Sequence, residues 1–321
     1  MTNMATRNWR ILSIVLVAAP FLPGQEGRVV GPNSGFVFDT VGHTLRPIRG
    51  IPGAATVGDP LDFGFDVASV LVAPRQDWAV VVATDASLHL FRITPGTVVE
   101  RPIDGLSGVP ERVAFSPSGT AAALYASGHL QIVNGLPDSP TLTSTLDLGV
   151  PSALAISDDG AYVLSAAVGS IRLLGTAGEN IKVMDASDGA LIAFAPGGHD
   201  AAVSDSGGAG LVWFRDLTGS SRQSVLASGD AEVASPVGLA FSADGRTLFV
   251  ASSTARSVST FDLATGNRAA IPCPCAPAGF VPMGNTFRLN ELGSEPLWLL
   301  DTAAGQPRIV FVPALPAPIA N

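Results

Sequence analysis

One stretch of sequence recurs along most of this chain and limits the folds that it can adopt. Its clearest copy, residues 237–266, reads VGLAFSADGRTLFVASSTARSVSTFDLATG. A short apolar run meets the turn Ser-Ala-Asp-Gly at residues 242–245, and two further apolar runs follow before a second turn that ends in glycine. Short runs rich in β-branched and aromatic residues, separated by such turns, predict a strand, a tight hairpin, a second strand, a short loop and a third strand.

Six copies of this unit can be aligned on the apolar residue that precedes the first turn. Successive markers lie 43, 41, 38, 47 and 39 residues apart. A partial unit, with strand-like residues 28–30, 35–39 and 44–48, precedes the first copy and resembles the second half of the unit. In chain order the six markers are Val72, Phe115, Ile156, Phe194, Phe241 and Phe280.

The repeat length predicts an all-β fold. A period of about 40 to 45 residues made of strands is typical of β-propeller blades, whereas helical repeats of that length show 3.6-residue periodicity. We predict seven blades of four antiparallel strands, or six if the leading partial unit completes the last blade. Because a closed ring leaves no unpaired edge, the strands from the two chain ends should meet in or beside one blade.

The copies also resemble a known group of repeats. LAISDDGAYVLSA at residues 154–166, FSPSG at 115–119 and LAFSADGRTLFVAS at 239–252 are similar to the repeats of bacterial YVTN-type and WD40-like β-propellers, a group with lactonase-like members. The resemblance covers about residues 70–301 and implies the fold. The Trp-Asp pair of eukaryotic WD40 blades is absent, and YVLS and LFVA replace the YVTN tetrapeptide. No catalytic position can therefore be carried over from the group.

The N-terminus has the pattern of an export signal. Arg7 and Arg10 precede an apolar run at residues 11–19, which resumes at residues 21–22 after Pro20. The run is shorter than the ~20 apolar residues that span a bilayer, and a basic flank before a short apolar core is typical of secretory signals. We predict a signal at residues 1–24, a propeller domain at 28–312, a Pro/Ala-rich tail at 313–321 and a periplasmic or extracellular location. An uncleaved anchor is the alternative.

The charge balance excludes one class of partner. The chain has 18 Lys and Arg residues against 27 Asp and Glu residues, a net charge of −9. An electrostatic phosphate-binding surface needs the opposite sign. We therefore expect no nucleic-acid partner.

Two cysteines, Cys273 and Cys275, lie in the proline-rich segment IPCPCAP. In an oxidising compartment they can form a disulfide, although a Cys-x-Cys ring is small and strained. The pair also suits a soft metal such as Cu(I), but two thiolates are fewer ligands than a closed metal site requires. We expect loop thiols or a strained disulfide, and no metal.

The histidines show no spacing typical of metal ligands. They fall in different repeats, at His43, His89, His129 and His199, and we predict exposed turn positions for them.

The segment that follows His199 contains Asp200, Ser204 and Asp205, the residue types of a hydrolytic triad. No G-x-S-x-G turn occurs in the chain, so this spacing argues against a serine nucleophile. The glycine-rich residues 207–210 lack the lysine and the helix of a phosphate-binding loop.

Structural roles are also predicted for acidic and aromatic residues. Asp158, Asp159 and Asp244 lie in hairpin turns without the D-x-D-x-D pattern of a calcium loop, so turn stabilisation is expected. Asx turns are predicted at Asp39, Asp216, Asp262 and Asp301. Packing between blades is predicted for Trp78, Trp213, Phe249 and Trp298.

These observations favour an exported, non-catalytic propeller that acts as a binding or scaffold module. The expected partner is another protein or an envelope component, with membrane contact only if the signal is retained. The alternative is a lactonase-like hydrolase with its site in the central funnel. We predict no catalytic, cofactor-binding or metal-ligating residue. An enzyme should bring ionisable side chains together at the axis, whereas a binding module should expose an apolar or aromatic patch on its rim.

Overall fold

The computed structural model describes residues 32–94, 97–205, 210–230, 233–303 and 306–315. All of them belong to one compact unit, Gly31–Asn321. The predicted signal at residues 1–24, the strand-like residues 28–30 and residues 316–321 of the tail lie outside the described residues.

The described strands form seven sheets, numbered 1 to 7 in chain order, and every pairing within a sheet is antiparallel. Sheet 1 has three strands, and each of the other six has four, arranged in sequence order. No α-helix occurs in the described part of the chain.

The bounds of the strands are as follows. Sheets 1 and 2 contain β1 (Asn33–Asp39), β2 (Thr44–Ile51), β3 (Ala54–Val57), β4 (Val67–Val72), β5 (Trp78–Ala83), β6 (Leu88–Thr94) and β7 (Thr97–Glu100). Sheets 3 and 4 contain β8 (Arg112–Phe115), β9 (Ala121–Ala126), β10 (His129–Asn134), β11 (Thr141–Asp147), β12 (Ala153–Ile156), β13 (Tyr162–Ala167), β14 (Ser170–Gly175) and β15 (Asn180–Met184).

The remaining sheets follow the same order. Sheets 5 and 6 contain β16 (Leu191–Phe194), β17 (Ala201–Asp205), β18 (Gly210–Arg215), β19 (Arg222–Ala227), β20 (Pro236–Phe241), β21 (Thr247–Ser252), β22 (Ser257–Asp262) and β23 (Arg268–Pro272). Sheet 7 contains β24 (Val281–Met283), β25 (Thr286–Arg288), β26 (Leu297–Asp301) and β27 (Arg308–Val312).

The hairpin that begins sheet 6 shows why the repeated turn ends its strands. The Asp244 carboxylate accepts hydrogen bonds from the Ser242 hydroxyl at 2.6 Å and from the Arg246 N–H at 3.1 Å. Gly245 has a φ of 70°, a left-handed conformation that glycine adopts without steric cost. The turn therefore aligns Phe241 with Leu248 on adjacent strands, as the sequence predicts.

Seven separate apolar cores hold the sheets in a ring. Each core joins two consecutive sheets, and the seventh joins sheet 7 to sheet 1 through Leu297, Leu299 and Val312 on one side and Val37 and Ile48 on the other. The first strands of successive sheets contact one another, as β8, β12, β16 and β20 do, and form the inner wall. The prediction of seven blades whose end strands meet beside each other is confirmed.

Sheet 1 differs from the other blades in direction. Its inner strand β1 contacts both β4 and β24. The start of β1 lies beside the end of β4, because the Phe36 N–H donates to Oε1 of Gln76, in the turn that follows β4, at 2.8 Å. The loop after β1 lies beside residues 61–67, which precede or begin β4. β1 therefore runs opposite to β4. As a result, the β1–β2 loop lies on the same face as the connection that enters sheet 2.

The marker chosen for the last repeat needs a correction. In five repeats the marker residue ends the first strand, but Phe280 precedes β24, and the equivalent position is Met283. Phe280 instead packs between sheets 6 and 7, its ring stacked on Phe287 with centroids 4.5 Å apart. Its aromatic character reflects this packing rather than its position in the repeat.

Candidate functional site

The inner wall of the ring is poor in ionisable groups. Among the seven strands that form it, only β1 and β8 carry one each, Asp39 and Arg112. Asp39 is buried and forms an ion pair with Arg46, Nε to Oδ2 at 2.9 Å. The described inner wall therefore lacks the converging acids and bases that catalysis in a central funnel would use.

A cleft of about 400 Å³ opens between the loops of sheets 1 and 2. We call it the sheet 1–2 cleft. One wall is the β1–β2 loop, the other is the β3–β4 connection, and Thr84, which directly follows β5, completes the lining. Its lining residues are Gly42, His43, Thr44, Leu61, Asp62, Phe63, Phe65, Asp66, Val67 and Thr84.

Asp39 shapes the first wall. Its Oδ1 accepts the N–H groups of Val41 and Gly42 at 3.1 and 2.8 Å, which confirms the predicted Asx turn. A Cβ on Gly42 would lie 2.7 Å from Asp39 Oδ2, so a larger residue there would displace the Asp39 carboxylate. Burial acts to raise the pKa of Asp39, but these N–H groups and the Arg46 guanidinium outweigh burial and hold that pKa below its usual value. The Asp39 carboxylate therefore stays ionised at neutral pH, and its hydrogen bonds hold this wall in place.

Two half-buried phenylalanines form the second wall. The Phe63 ring meets Phe91 edge-on, with centroids 4.8 Å apart and planes at 75°. The Phe65 ring stacks on the His89 imidazole, with centroids 4.4 Å apart and planes at 30°. Hydrogen bonds from Gly64 N–H to Asp62 Oδ1 and from Thr84 N–H to the Asp66 carbonyl hold the backbone of this wall. Both rings are thus fixed before any ligand arrives.

His89 is itself held between two polar groups. Its Nδ1 lies 2.7 Å from Glu100 Oε1, and its Nε2 lies 2.7 Å from Ser87 Oγ. The Ser87 hydroxyl and backbone N–H also bond to Asp85 Oδ1, and these two hydrogen bonds lower the pKa of the Asp85 carboxyl. The Ser-x-His spacing puts both side chains on one side of a strand. This cluster is not recognisable from the sequence, because Glu100 comes from the neighbouring strand β7.

One polar atom of the cleft has no partner. Thr44 Oγ1 is buried and makes no hydrogen bond within the part of the chain that the structure describes. Buried polar atoms are nearly always paired in folded proteins. Because this oxygen is enclosed by the protein, it does not by itself offer a contact to a ligand in the cleft.

The other histidines lie apart from the cleft. His129 Nδ1 lies 3.0 Å from Asp147 Oδ1 on the outer strand of sheet 3. His199 connects two sheets, because its Nε2 lies 2.9 Å from Asp159 Oδ2 and its Nδ1 lies 2.8 Å from Thr218 Oγ1. Of the four histidines, His43 lines the cleft and His89 supports its wall.

The residue types after His199 do not assemble into a triad. His199 turns to Asp159, Asp200 accepts the N–H of Asp216 at 2.9 Å, and Ser204 is buried within β17. Asp205 is buried and bonded to Ser187. Three residues of the glycine-rich segment 207–210 lie outside the described residues.

Cys273 and Cys275 form a disulfide, with Cα atoms 5.0 Å apart. Among the described residues, no three His, Cys, Asp or Glu side chains come together in a group that could hold a metal ion. Within the same residues, no helix has the length and apolar character needed to cross a membrane.

The predicted structural roles are confirmed for the aromatic residues and for most of the turn acids. The Asx turn predicted at Asp216 is wrong, because its carboxylate accepts the N–H of Ser220, four residues further on, at 3.0 Å. Asp159 and Asp244 bond within their own turns, and Asp262 and Asp301 form Asx turns. The prediction for Asp158 is wrong, because its carboxylate bonds to Ser118 of sheet 3 and to the Gly197 N–H of sheet 5 rather than within its own turn. All four aromatic residues pack in or against the cores between sheets: Trp78, Trp213, Phe249 and Trp298.

The closed ring of seven sheets defines the class of this protein, a seven-bladed β-propeller. No protein-family model matches the sequence, and no curated protein matches it either. Solved structures of the same fold are similar to it. Two are candidate 6-phosphogluconolactonases, from Bacteroides fragilis NCTC 9343 (16% identity, 88% of this chain and 94% of that chain, TM-score 0.58) and Bacteroides uniformis ATCC 8492 (15%, 88% and 96%, 0.58).

A third similar structure is a functionally unknown protein from Desulfotomaculum acetoxidans DSM 771, with 14% identity, 88% of this chain and 100% of that chain covered, and a TM-score of 0.55. At these identities the likeness establishes the fold alone. The resemblance to lactonase-like propellers is thus confirmed at the level of architecture.

Proposed function

We propose that this protein is an exported, non-catalytic propeller that binds a partner protein or envelope component through the sheet 1–2 cleft. The observation that carries the proposal is the pairing of a preformed aromatic wall with two exposed carboxylates, Asp62 and Asp66, in one cleft. Preformed, mostly apolar clefts with a few polar groups are the usual form of ligand sites. A rigid ring presents such a cleft without rearrangement.

The surroundings of the cleft suit a macromolecular partner. Val41, in the loop that forms the first wall, is 84% exposed. A single exposed apolar side chain is common on protein surfaces, but a partner that fills the cleft would cover this one. We therefore expect the partner to insert a small chemical group into the cleft and to cover the β1–β2 loop.

Export is supported by two independent features. The basic and apolar pattern at residues 1–24 is the arrangement that the secretion machinery recognises. The Cys273–Cys275 disulfide is the kind of bond that persists outside the reducing cytosol. Cell fractionation should recover the protein outside the cytoplasm, and replacing Arg7 and Arg10 with glutamate should retain it inside. Equal distribution of both forms would contradict export.

A thermal-shift panel of small cationic, anionic and neutral compounds tests binding. A ligand that binds only the folded state raises the melting temperature. At least one class of compound should raise the melting temperature of wild type but not that of Phe65→Ala. The control is Phe311→Ala, which alters a half-exposed ring on β27 and should respond like wild type. No shift with any class, or a shift that persists in Phe65→Ala, would overturn the proposal.

A hydrolase is the second candidate, and one observation favours it. Ser87, His89 and Glu100 have the contacts of a serine triad, with His89 Nε2 placed to accept the hydroxyl proton. The Ser87 hydroxyl also bonds to Asp85, which competes for that proton. A fluorophosphonate probe should label Ser87 if this candidate is right, and Ser87→Ala should abolish labelling. Absence of labelling in wild type would rule against it.

A phosphorylated substrate fits the cleft poorly. Asp62 and Asp66 line it, and its described lining contains no lysine or arginine. Phosphate groups are usually bound by arginine, lysine or backbone N–H groups. The activity named for the two Bacteroides structures is therefore not carried over to this cleft.

A further inference from the structure

We infer that the sheet 1–2 cleft selects an alkylated ammonium group, so that the natural ligand is a small organic cation or a partner that carries one. The inference rests on the proposed binding function and adds the chemical class of the ligand. Three features of the cleft carry it: its charge, its aromatic wall and the exposed hydroxyl of Thr84.

The charge of the cleft favours a cation. Asp62 and Asp66 are exposed at its mouth, and neither has an arginine or lysine within ion-pair distance among the described residues. The whole chain has a net charge of −9, so the surrounding field has the same sign. An anionic ligand would meet repulsion at both levels.

The aromatic wall favours a cation with alkyl substituents. A cation within about 6 Å of a ring centroid is attracted by the negative face of the ring, and quaternary ammonium groups are bound in this way. Phe63 and Phe65 lie with centroids 6.2 Å apart and planes at 41°, which gives a bent wall. Stacking of Phe65 on His89, which Glu100 and Ser87 hold in place, fixes the angle of that wall. A bare metal ion would gain little from these apolar rings.

The volume and the exposed hydroxyl limit the rest of the ligand. About 400 Å³ admits a small organic group rather than an extended chain. Thr84 lines the cleft and is exposed, so its hydroxyl can bond to one polar atom of that group. Choline, with a trimethylammonium head and one hydroxyl, is therefore a suitable probe.

The test compares choline with its neutral isostere, 3,3-dimethylbutan-1-ol, by isothermal titration calorimetry. The two have the same shape, so any difference reports charge. Choline should bind at least tenfold more tightly than the alcohol, and added salt should weaken choline alone. Asp66→Asn should weaken choline about tenfold and leave the alcohol unchanged. Asp104→Asn, an exposed acid outside the lining, is the matched control and should bind like wild type.

The outcomes separate this inference from the proposed function. Equal affinity for choline and the alcohol, or unchanged choline binding in Asp66→Asn, would overturn cation selectivity and leave binding at the cleft in place. Binding of neither compound would overturn the cation class, while the thermal-shift panel decides whether the cleft binds anything. Circular dichroism of each variant excludes unfolding as the cause of a loss.

Discussion

The backbone N–H of Gly284 donates a 2.8 Å hydrogen bond to the carbonyl oxygen of Pro74. Gly284 lies in the hairpin turn of sheet 7 and Pro74 in that of sheet 2, so two sheets that are not neighbours in the ring meet across the inner side of sheet 1. Gln76 reinforces this contact, because its Oε1 accepts the Phe36 N–H and its Nε2 reaches the Pro282 carbonyl at 3.5 Å. The three-stranded sheet is thus bridged by the turns on either side of it.

Replacing Gln76 with alanine should weaken this closure. The Phe36 N–H loses its acceptor, and a hydrogen bond contributes about 1 kcal/mol net. Glutamine and alanine at position 76 must both adopt the left-handed φ of 64°, so the change in stability reports the loss of the side-chain hydrogen bonds. Urea unfolding should show a free energy of unfolding lower by about 1–2 kcal/mol. Gln223→Ala on the exposed strand β19 is the control, expected within about 0.5 kcal/mol of wild type. Equal losses at the two positions would contradict the closing role.

Asp158→Ala should destabilise three blades together. Asp158 Oδ1 accepts the N–H and hydroxyl of Ser118 at 2.7 and 2.6 Å, and its Oδ2 accepts the Gly197 N–H at 2.8 Å. Hydrogen bonds to a charged group contribute about 1.5–3 kcal/mol each, so a loss of at least 2 kcal/mol in the free energy of unfolding is expected. Asp147→Ala, at an exposed carboxylate on β11, should change it by less than about 0.5 kcal/mol. A similar effect of both variants would argue against a bridging role.

Asp159 should make stability depend on acid pH. Burial acts to raise the pKa of its carboxyl, but hydrogen bonds from the Ser157 hydroxyl, the Ala161 N–H and His199 outweigh burial, and the pKa lies below its ordinary value of 3.8. A lowered folded-state pKa gives stability that is fully present above the unfolded value and is lost as the pH falls through the folded one.

The free energy of unfolding of Asp159→Asn should therefore lie below that of wild type at neutral pH, and the difference should shrink as the pH falls below 3.8. Urea unfolding across that range measures it. Asp104→Asn, which alters an exposed carboxylate, should show no such convergence. A difference that stays constant with pH would mean that the Asp159 carboxylate does not titrate in this way.

Reduction of the Cys273–Cys275 disulfide should cost little stability. The bond joins residues only two apart, and a chain-entropy estimate for so short a loop is about 1–2 kcal/mol. A reductant should lower the melting temperature of wild type by a few degrees and leave the double variant Cys273→Ala, Cys275→Ala unaffected. An equal response of both proteins would show that the reductant acts elsewhere.

Much of the fold follows from local sequence. The turn at Ser242 to Gly245 and the apolar strands beside it place both hairpin and repeat, because side-chain hydrogen bonds and positive φ values act within a few residues. The outermost strands of the blades could not be predicted from the sequence. β15 and β11 are largely exposed and carry polar residues, so they show little apolar pattern. Their pairing with inner neighbours depends on backbone hydrogen bonds, which the sequence does not display.

The cleft could not be predicted from the sequence. His43 and Phe65 belong to different repeats. They meet because β1 runs opposite to the other inner strands, and no local motif predicts that reversal. The Ser87–His89 pair is visible as a spacing, but Glu100 joins it only through the pairing of β6 with β7. The candidate site is thus a property of how blades are assembled, whereas each blade is a property of its own repeat.

The core between sheets 7 and 1 has a consequence for biosynthesis. It unites Val37 with Val312, residues from nearly opposite ends of the described chain, whereas the other six cores need only neighbouring repeats. During translation those six cores can form in order, whereas the core between sheets 7 and 1 forms only after the last strand, β27, has emerged. Until then, two apolar surfaces stay uncovered on the nascent polypeptide, and chaperones that bind exposed apolar segments should recognise them.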